Sequence, residues 1–198
     1  MSAEGEKAAA AFPNKKRRQM MTKAEMKELV RASIDTQDMC RVYFKYDPNY
    51  YYFIPFKVSE NLFLAAEEDD FIIDGFSIRR FRDVKKVEIK DDMCPKIIKA
   101  EGILDGLTPP EVEITDWHSA FVSLKRLGEI IIIERESIDP DESLFAIGRI
   151  EKVNKTNLVF SHFDADGVWQ DEVYVIPFTQ ITSVTIGSRY SRFFAKYV

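Results

Sequence analysis

One pattern occurs twice in this chain. Asn61-Leu62 leads to Phe81-x-x-Val84-x-x-Val87-x-Ile89, and Asn157-Leu158 leads to Phe178-x-x-Ile181-x-x-Val184-x-Ile186. The interval spans 28 positions from Asn61 to Ile89 and 29 from Asn157 to Ile186, and the four closing apolar residues keep identical spacing. A self-similar period of this kind marks a duplicated folding unit. The 198-residue chain is therefore expected to hold two units of about 80 to 90 residues each. Units that small bury only a modest part of their unfolded surface, so they are expected to pack on one another or on a second chain.

Local signals give the same order in each half. Residues 1–20 are rich in Ala and basic side chains and poor in large apolar ones, so they are expected to form a disordered basic tail. Thr22-x-x-Glu25 has the form of a capping box, and Met26, Leu29, Val30 and Ile34 continue at helical spacing, predicting a short helix to about Ser33. Five strands follow, near Arg41–Lys45, Tyr51–Val58, Leu62–Ala66, Ile72–Arg80 and Lys85–Ile89, with an Asp47-Pro48-Asn49 turn after the first. Pro95 and the Ile97-Ile98 pair predict a single helical turn, and residues 105–113 read as a linker. A second helix is expected with Thr115 or Asp116 as its cap, an apolar stripe from Trp117 to Leu127, and Gly128 as its stop. Strands at Glu129–Arg135, Leu144–Val153, Leu158–Phe163, Val168–Ile176 and Thr182–Ile186 complete the replay, with an Asp166-Gly167 hairpin turn. The domain division is 1–20, 21–105 and 106–198.

A helix followed by five short, bent strands, with a tight turn before the last (Phe81 to Val84, Phe178 to Ile181), resembles the Sm-like and SH3-like small barrels. The chain more closely resembles uncharacterised bacterial proteins of that barrel class. That likeness lies in Phe71-Ile-Ile-Asp-Gly75-Phe-Ser-Ile-Arg-Arg80, Gly148-Arg-Ile-x-x-Val153, Asp166-Gly-x-Trp169, Ile181-Thr-x-Val184 and Ser188-Arg-Tyr190, and covers roughly residues 37–198. The resemblance implies a mainly β fold of two tandem five-stranded barrels, each preceded by a short helix, and it carries no reaction with it. The RNA-pocket residues of Sm proteins do not transfer, because Ser161-His162-Phe163-Asp164 and Val175-Ile176-Pro177 stand in the comparable places.

Charge is uneven. Residues 1–34 carry eight Lys or Arg against four Glu, leaving a net of −9 on the rest of a chain whose total is −5. An acidic body disfavours polyanions outside local patches. No apolar run approaches the ~20 residues that span a bilayer, and no secretion signal is evident, so a cytoplasmic location without membrane association is expected. Cys40 and Cys94 lack a CxxC arrangement and are read as reduced thiols.

Motifs for chemistry are weak. His162, Asp164 and Asp166 offer ligand-type side chains, but Gly167 falls at the fourth position from Asp164 where a calcium loop needs the sixth, so a polar hairpin tip is the simpler reading. His118 has no recognisable nucleophile partner. No catalytic residue, metal ligand or cofactor site is assigned, and a noncatalytic protein is expected.

Two clusters remain as contacts for a partner or for nucleic acid. Arg79, Arg80, Arg82, Lys85 and Lys86 form the strongest basic run of the body; they are read as a solvated barrel exterior, with a phosphate-binding stripe as the alternative. Tyr50, Tyr51 and Tyr52, with Tyr43 and Tyr46, read as packing or interface aromatics, with a base-stacking platform as the alternative. The expected function is protein interaction or self-association through barrel edges, and the alternative is an RNA- or single-strand-binding module.

Overall fold

The computed structural model describes residues 21–198, so the basic tail expected at 1–20 lies outside the described residues. Helix α1 (Lys23–Thr36) starts at the anticipated capping box: the Glu25 N–H donates to Thr22 Oγ1 at 3.2 Å and the Thr22 N–H donates to the Glu25 carboxylate at 2.7 Å. Five strands follow: β1 (Cys40–Phe44), β2 (Tyr50–Val58), β3 (Leu62–Asp69), β4 (Ile72–Arg80) and β5 (Val84–Ile89). Helix α2 (Met93–Ala100) is longer than the single turn expected, and the Asp92 carboxylate caps its start by accepting the Cys94 N–H.

Helix α3 (Trp117–Leu127) is capped by Asp116, which accepts the Ser119 N–H at 2.8 Å, and stops at Gly128 in the left-handed region at φ 70°. Strands β6 (Ile131–Arg135), β7 (Leu144–Val153), β8 (Asn157–His162), β9 (Tyr174–Pro177) and β10 (Ser183–Ile186) precede α4 (Arg189–Phe194). Strand β9 is much shorter than the Val168–Ile176 segment anticipated. The Asp164 carboxylate takes the Asp166 and Val168 N–H groups, each at 3.0 Å, leaving the stretch before Tyr174 with a single bridge between Phe163 and Trp169.

The fold is mainly β, with the ten strands in one antiparallel sheet ordered β5-β1-β2-β3-β4-β10-β6-β7-β8-β9. The sheet is not closed into a barrel, where two tandem five-stranded small barrels were expected. The fourth strand of the first half, β4, pairs with the last strand of the second, β10, in a ladder from Arg79–Ser183 to Phe76–Ile186. Its hydrogen-bonding edge is thereby used between halves, and the sheet stays open. Strand order within each half is nevertheless the same: last, first, second, third, fourth. The second strand of each half also shifts register near its middle, at Pro55/Lys57 in β2 and Ile150/Lys152 in β7, which bends it.

Alternation along β3 and β4 feeds two cores. Phe63 and Ala65 pack under α1 with Met26, Val30, Phe44 and Phe53. Leu62, Leu64 and Ile78 point the other way, joining Phe121, Leu124 and Phe160 under α3. Each repeated apolar set sits mainly beneath its own leading helix: Phe81, Val84 and Val87 with α1, and Ile181, Val184 and Ile186 with α3, where Phe178 packs alongside. Ile89 departs from its counterpart and is 37% exposed.

Candidate functional site

The five basic residues singled out in the sequence do not converge. Arg79 and Arg80 are buried, which corrects the reading of a solvated stripe. Each guanidinium is held by internal partners, which is what makes its burial tolerable. Arg79 donates to the Glu136 carboxylate at 3.0 Å and lies over the Phe44 ring at 4.2 Å and the Tyr51 ring at 5.1 Å. Arg80 donates to Asp83, itself fully buried, and to the Thr179 carbonyl at 2.8 Å, so it ties the turn before β5 to the turn before β10. Arg82, Lys85 and Lys86 are exposed.

The three tyrosines divide by strand alternation. Tyr51 points toward Phe44, Phe53 and Arg79 on the α1 side of the sheet. Tyr50 and Tyr52 lie on the opposite face, their ring centroids 5.2 Å apart, with Tyr43 5.5 Å from Tyr50. The register Arg41–Tyr52, Tyr43–Tyr50, Tyr43–Lys86 and Arg41–Glu88 sets these side chains beside one another across β2, β1 and β5. Arg41 lies 4.8 Å above the Tyr50 ring, Lys90 3.9 Å above Tyr52, and Lys86 5.0 Å above Tyr43. This is an aromatic face laced with cations.

Its charge is largely compensated. Lys86 reaches Glu88 at 2.6 Å and holds that carboxyl below its usual range, while Lys90 pairs with Asp92 at 3.1 Å. Arg41 and Lys90 were not singled out in the sequence. Only the β1–β2 register brings them over Tyr50 and Tyr52, and the Asp47-Pro48-Asn49 turn was the one signal that could have pointed to that register.

The two ends of the sheet are the other notable surface. Among the described residues β5 pairs only with β1, and β9 only with β8. Val168, Val173 and Val175 are exposed in and just before β9, the last at 61%. His162 at the end of β8 stacks on Tyr174 at 3.8 Å, and the Asp164 carboxylate is occupied by turn amides and by the Gln170 side chain. No helix among the described residues is long and apolar enough to cross a membrane. No family model, curated protein or solved structure matches this chain.

Proposed function

We propose that the chain is a noncatalytic assembly module, built from two duplicated Sm-like/SH3-like five-stranded units, that adds copies of itself or a protein partner through the edges of its sheet. The observation that carries this reading is the join within the chain. It pairs a fourth strand, β4, with a last strand, β10, and the two free edges are again a last strand, β5, and a fourth strand, β9. A neighbour's β5 can therefore meet β9 as β10 meets β4, in a head-to-tail contact that closes into a ring or extends as a filament. Unpaired strand edges invite such pairing, and the exposed valines near β9 give it apolar area to bury.

Light scattering coupled to size exclusion at micromolar concentration tests this. A mass of two or more chains is expected, falling to one chain in Val175→Lys, which sets a charge on the edge. A wild-type protein that stays monomeric and recovers no partner in a pull-down overturns the reading.

The cations over Tyr43, Tyr50 and Tyr52, of which Lys86 is exposed, favour a second reading, single-stranded nucleic-acid binding by stacking and phosphate contact. It ranks lower because Glu88 and Asp92 neutralise part of that face and the body as a whole is acidic. Absorbance at 260 and 280 nm before and after a high-salt wash, with an oligonucleotide shift assay, separates the two. Bound nucleic acid lost steeply with salt supports this second reading, and clean protein with no shift removes it.

A further inference from the structure

Ladder register matches the two halves residue by residue. The pair Leu64–Ile78 of β3 and β4 recurs as Val159–Val175 of β8 and β9, Phe63–Arg79 recurs as Leu158–Ile176, and Val42–Val87 of β1 and β5 recurs as Ile133–Val184 of β6 and β10. Val175 therefore stands where Ile78 stands in the first half, and Ile89 stands where Ile186 stands in the second. Ile78 and Ile186 lie in the join of β4 with β10 and are buried, whereas Val175, Val173 and Ile89 are exposed. Leu64 is buried beside Ile78, while Val159, beside Val175, is only half-buried.

The faces agree with this match. Ile78 turns away from α1 and is buried with Leu62 and Leu64 in the core under α3 of the following half. Ile176 lies in that same core, so strand alternation turns its neighbour Val175, and Val159 beside it, to the opposite face and away from their own helix. Each half thus presents apolar side chains that a following half covers, and among the described residues the second half has no follower. The strand that fits is β5 of another copy, whose Val87 already lies in the core under α1. Charge points the same way. Just past the β4–β10 ladder Gly75 comes up against Gly187, and the residues in the matching places on the free edges are Glu172 and Lys90, which carry opposite charges. Pairing β5 with β5 would instead set Lys85 and Lys86 against their own copies.

We propose, resting on the edge-assembly reading above, that the partner is a second copy of this chain bound head to tail in a single register: Lys86 beside Ile176, Val87 beside Val175, Glu88 beside Tyr174 and Ile89 beside Val173, with Val159 and Val175 entering the core under the neighbour's α1. This register is the internal ladder, Arg79–Ser183 to Phe76–Ile186, carried over position by position. A slip of one residue would turn Val173 and Val175 away from that core, which is what fixes the alignment. The contact is heterologous, so every copy uses β5 toward one neighbour and β9 toward the other.

Two experiments on the full chain test this. Val173→Cys with Ile89→Cys, in a Cys94→Ser background where the remaining thiol, Cys40, is buried, sets the new thiols opposite each other between copies. Paired antiparallel residues have Cα atoms about 4.5–5.5 Å apart, within reach of a disulfide. Mild oxidation should give a ladder of covalent multimers on a non-reducing gel, formed at least about tenfold faster than with Val173→Cys and Glu88→Cys, whose side chains leave on opposite faces. The second experiment disables one edge at a time, β9 with Val175→Lys and β5 with Ile89→Lys, each checked for an unchanged native spectrum. Each variant alone should be monomeric by light scattering, and an equimolar mixture should form a dimer with one chain of each kind and nothing larger, because one intact β5 meets one intact β9. A wild-type chain that associates without in-register linking, equal linking by the off-register pair, a self-associating Ile89→Lys variant, or a mixture that stays monomeric overturns this inference and leaves edge assembly standing. A monomeric wild-type chain overturns both.

Discussion

Glu67, half-buried, and Arg79, fully buried, line one cavity and illustrate opposite treatments of a charge withdrawn from water. Arg79 has Glu136 and two aromatic rings to replace its water, whereas Glu67 has no partner and its carboxyl is raised to about 7. A raised carboxyl pKa means that the folded chain holds a proton the unfolded chain has already lost. The stability tied to this group is therefore present below the ordinary carboxylate range and declines as pH climbs to about 7. Glu67→Gln should accordingly match wild type near pH ~5 and be more stable near pH ~8 by about 1 kcal/mol. Urea denaturation at the two pH values checks this, and an unchanged pH slope refutes it. The thiols give a second contrast. Cys40 is buried against the Ser33 hydroxyl with its pKa pushed up to about 11 by burial, whereas Cys94 is partly exposed. A disulfide reagent should modify Cys94 at least about tenfold faster in the native protein, equalising in denaturant.

At the scale of elements, helix ends were the most legible feature. Thr22, Asp116 and Gly128 cap or stop helices as their chemistry dictates, since a cap depends on residues within one turn of each other. Strand β9 was misread because the Asp164 turn diverts amides that an apolar count cannot see. Gly75 shows a constraint between elements. It lies within β4 at φ 82°, and a Cβ placed there would stand 2.5 Å from the Ile186 carbonyl and 2.7 Å from the Ser188 nitrogen. The approach of β4 to the β10–α4 connection depends on that missing side chain. Gly75→Ala should cost about 2–4 kcal/mol through strain and displaced backbone, read as a lowered urea midpoint. A loss below about 0.5 kcal/mol, the range of a neutral surface change, would show that the strands slide apart without penalty.

On the scale of the whole molecule, the halves are not independent. Leu62, Leu64 and Ile78 of the first half fill the core under α3, and β10 takes its place between β4 and β6. Expressed alone, residues 106–198 should therefore lack a cooperative thermal transition, while the full chain should unfold in one. Calorimetry decides, and a sharp transition in the isolated segment would refute the shared core.

What was readable from residues alone was a mainly β chain, the positions of its two leading helices, and the twofold recurrence of an apolar spacing. Those features rest on neighbours a few positions apart, where hydrogen-bonding and burial periods leave a direct imprint. The fate of the basic run was not readable. Arg79 finds Glu136, and Arg80 finds the Thr179 carbonyl, only because β4 pairs with β10, and nothing local distinguishes them from the exposed Arg82. The same pairing left the sheet open and raised the walls of the cavity. Which edge a strand gives to which partner is settled by competition among distant segments for the same hydrogen bonds, so only the tertiary structure decides it.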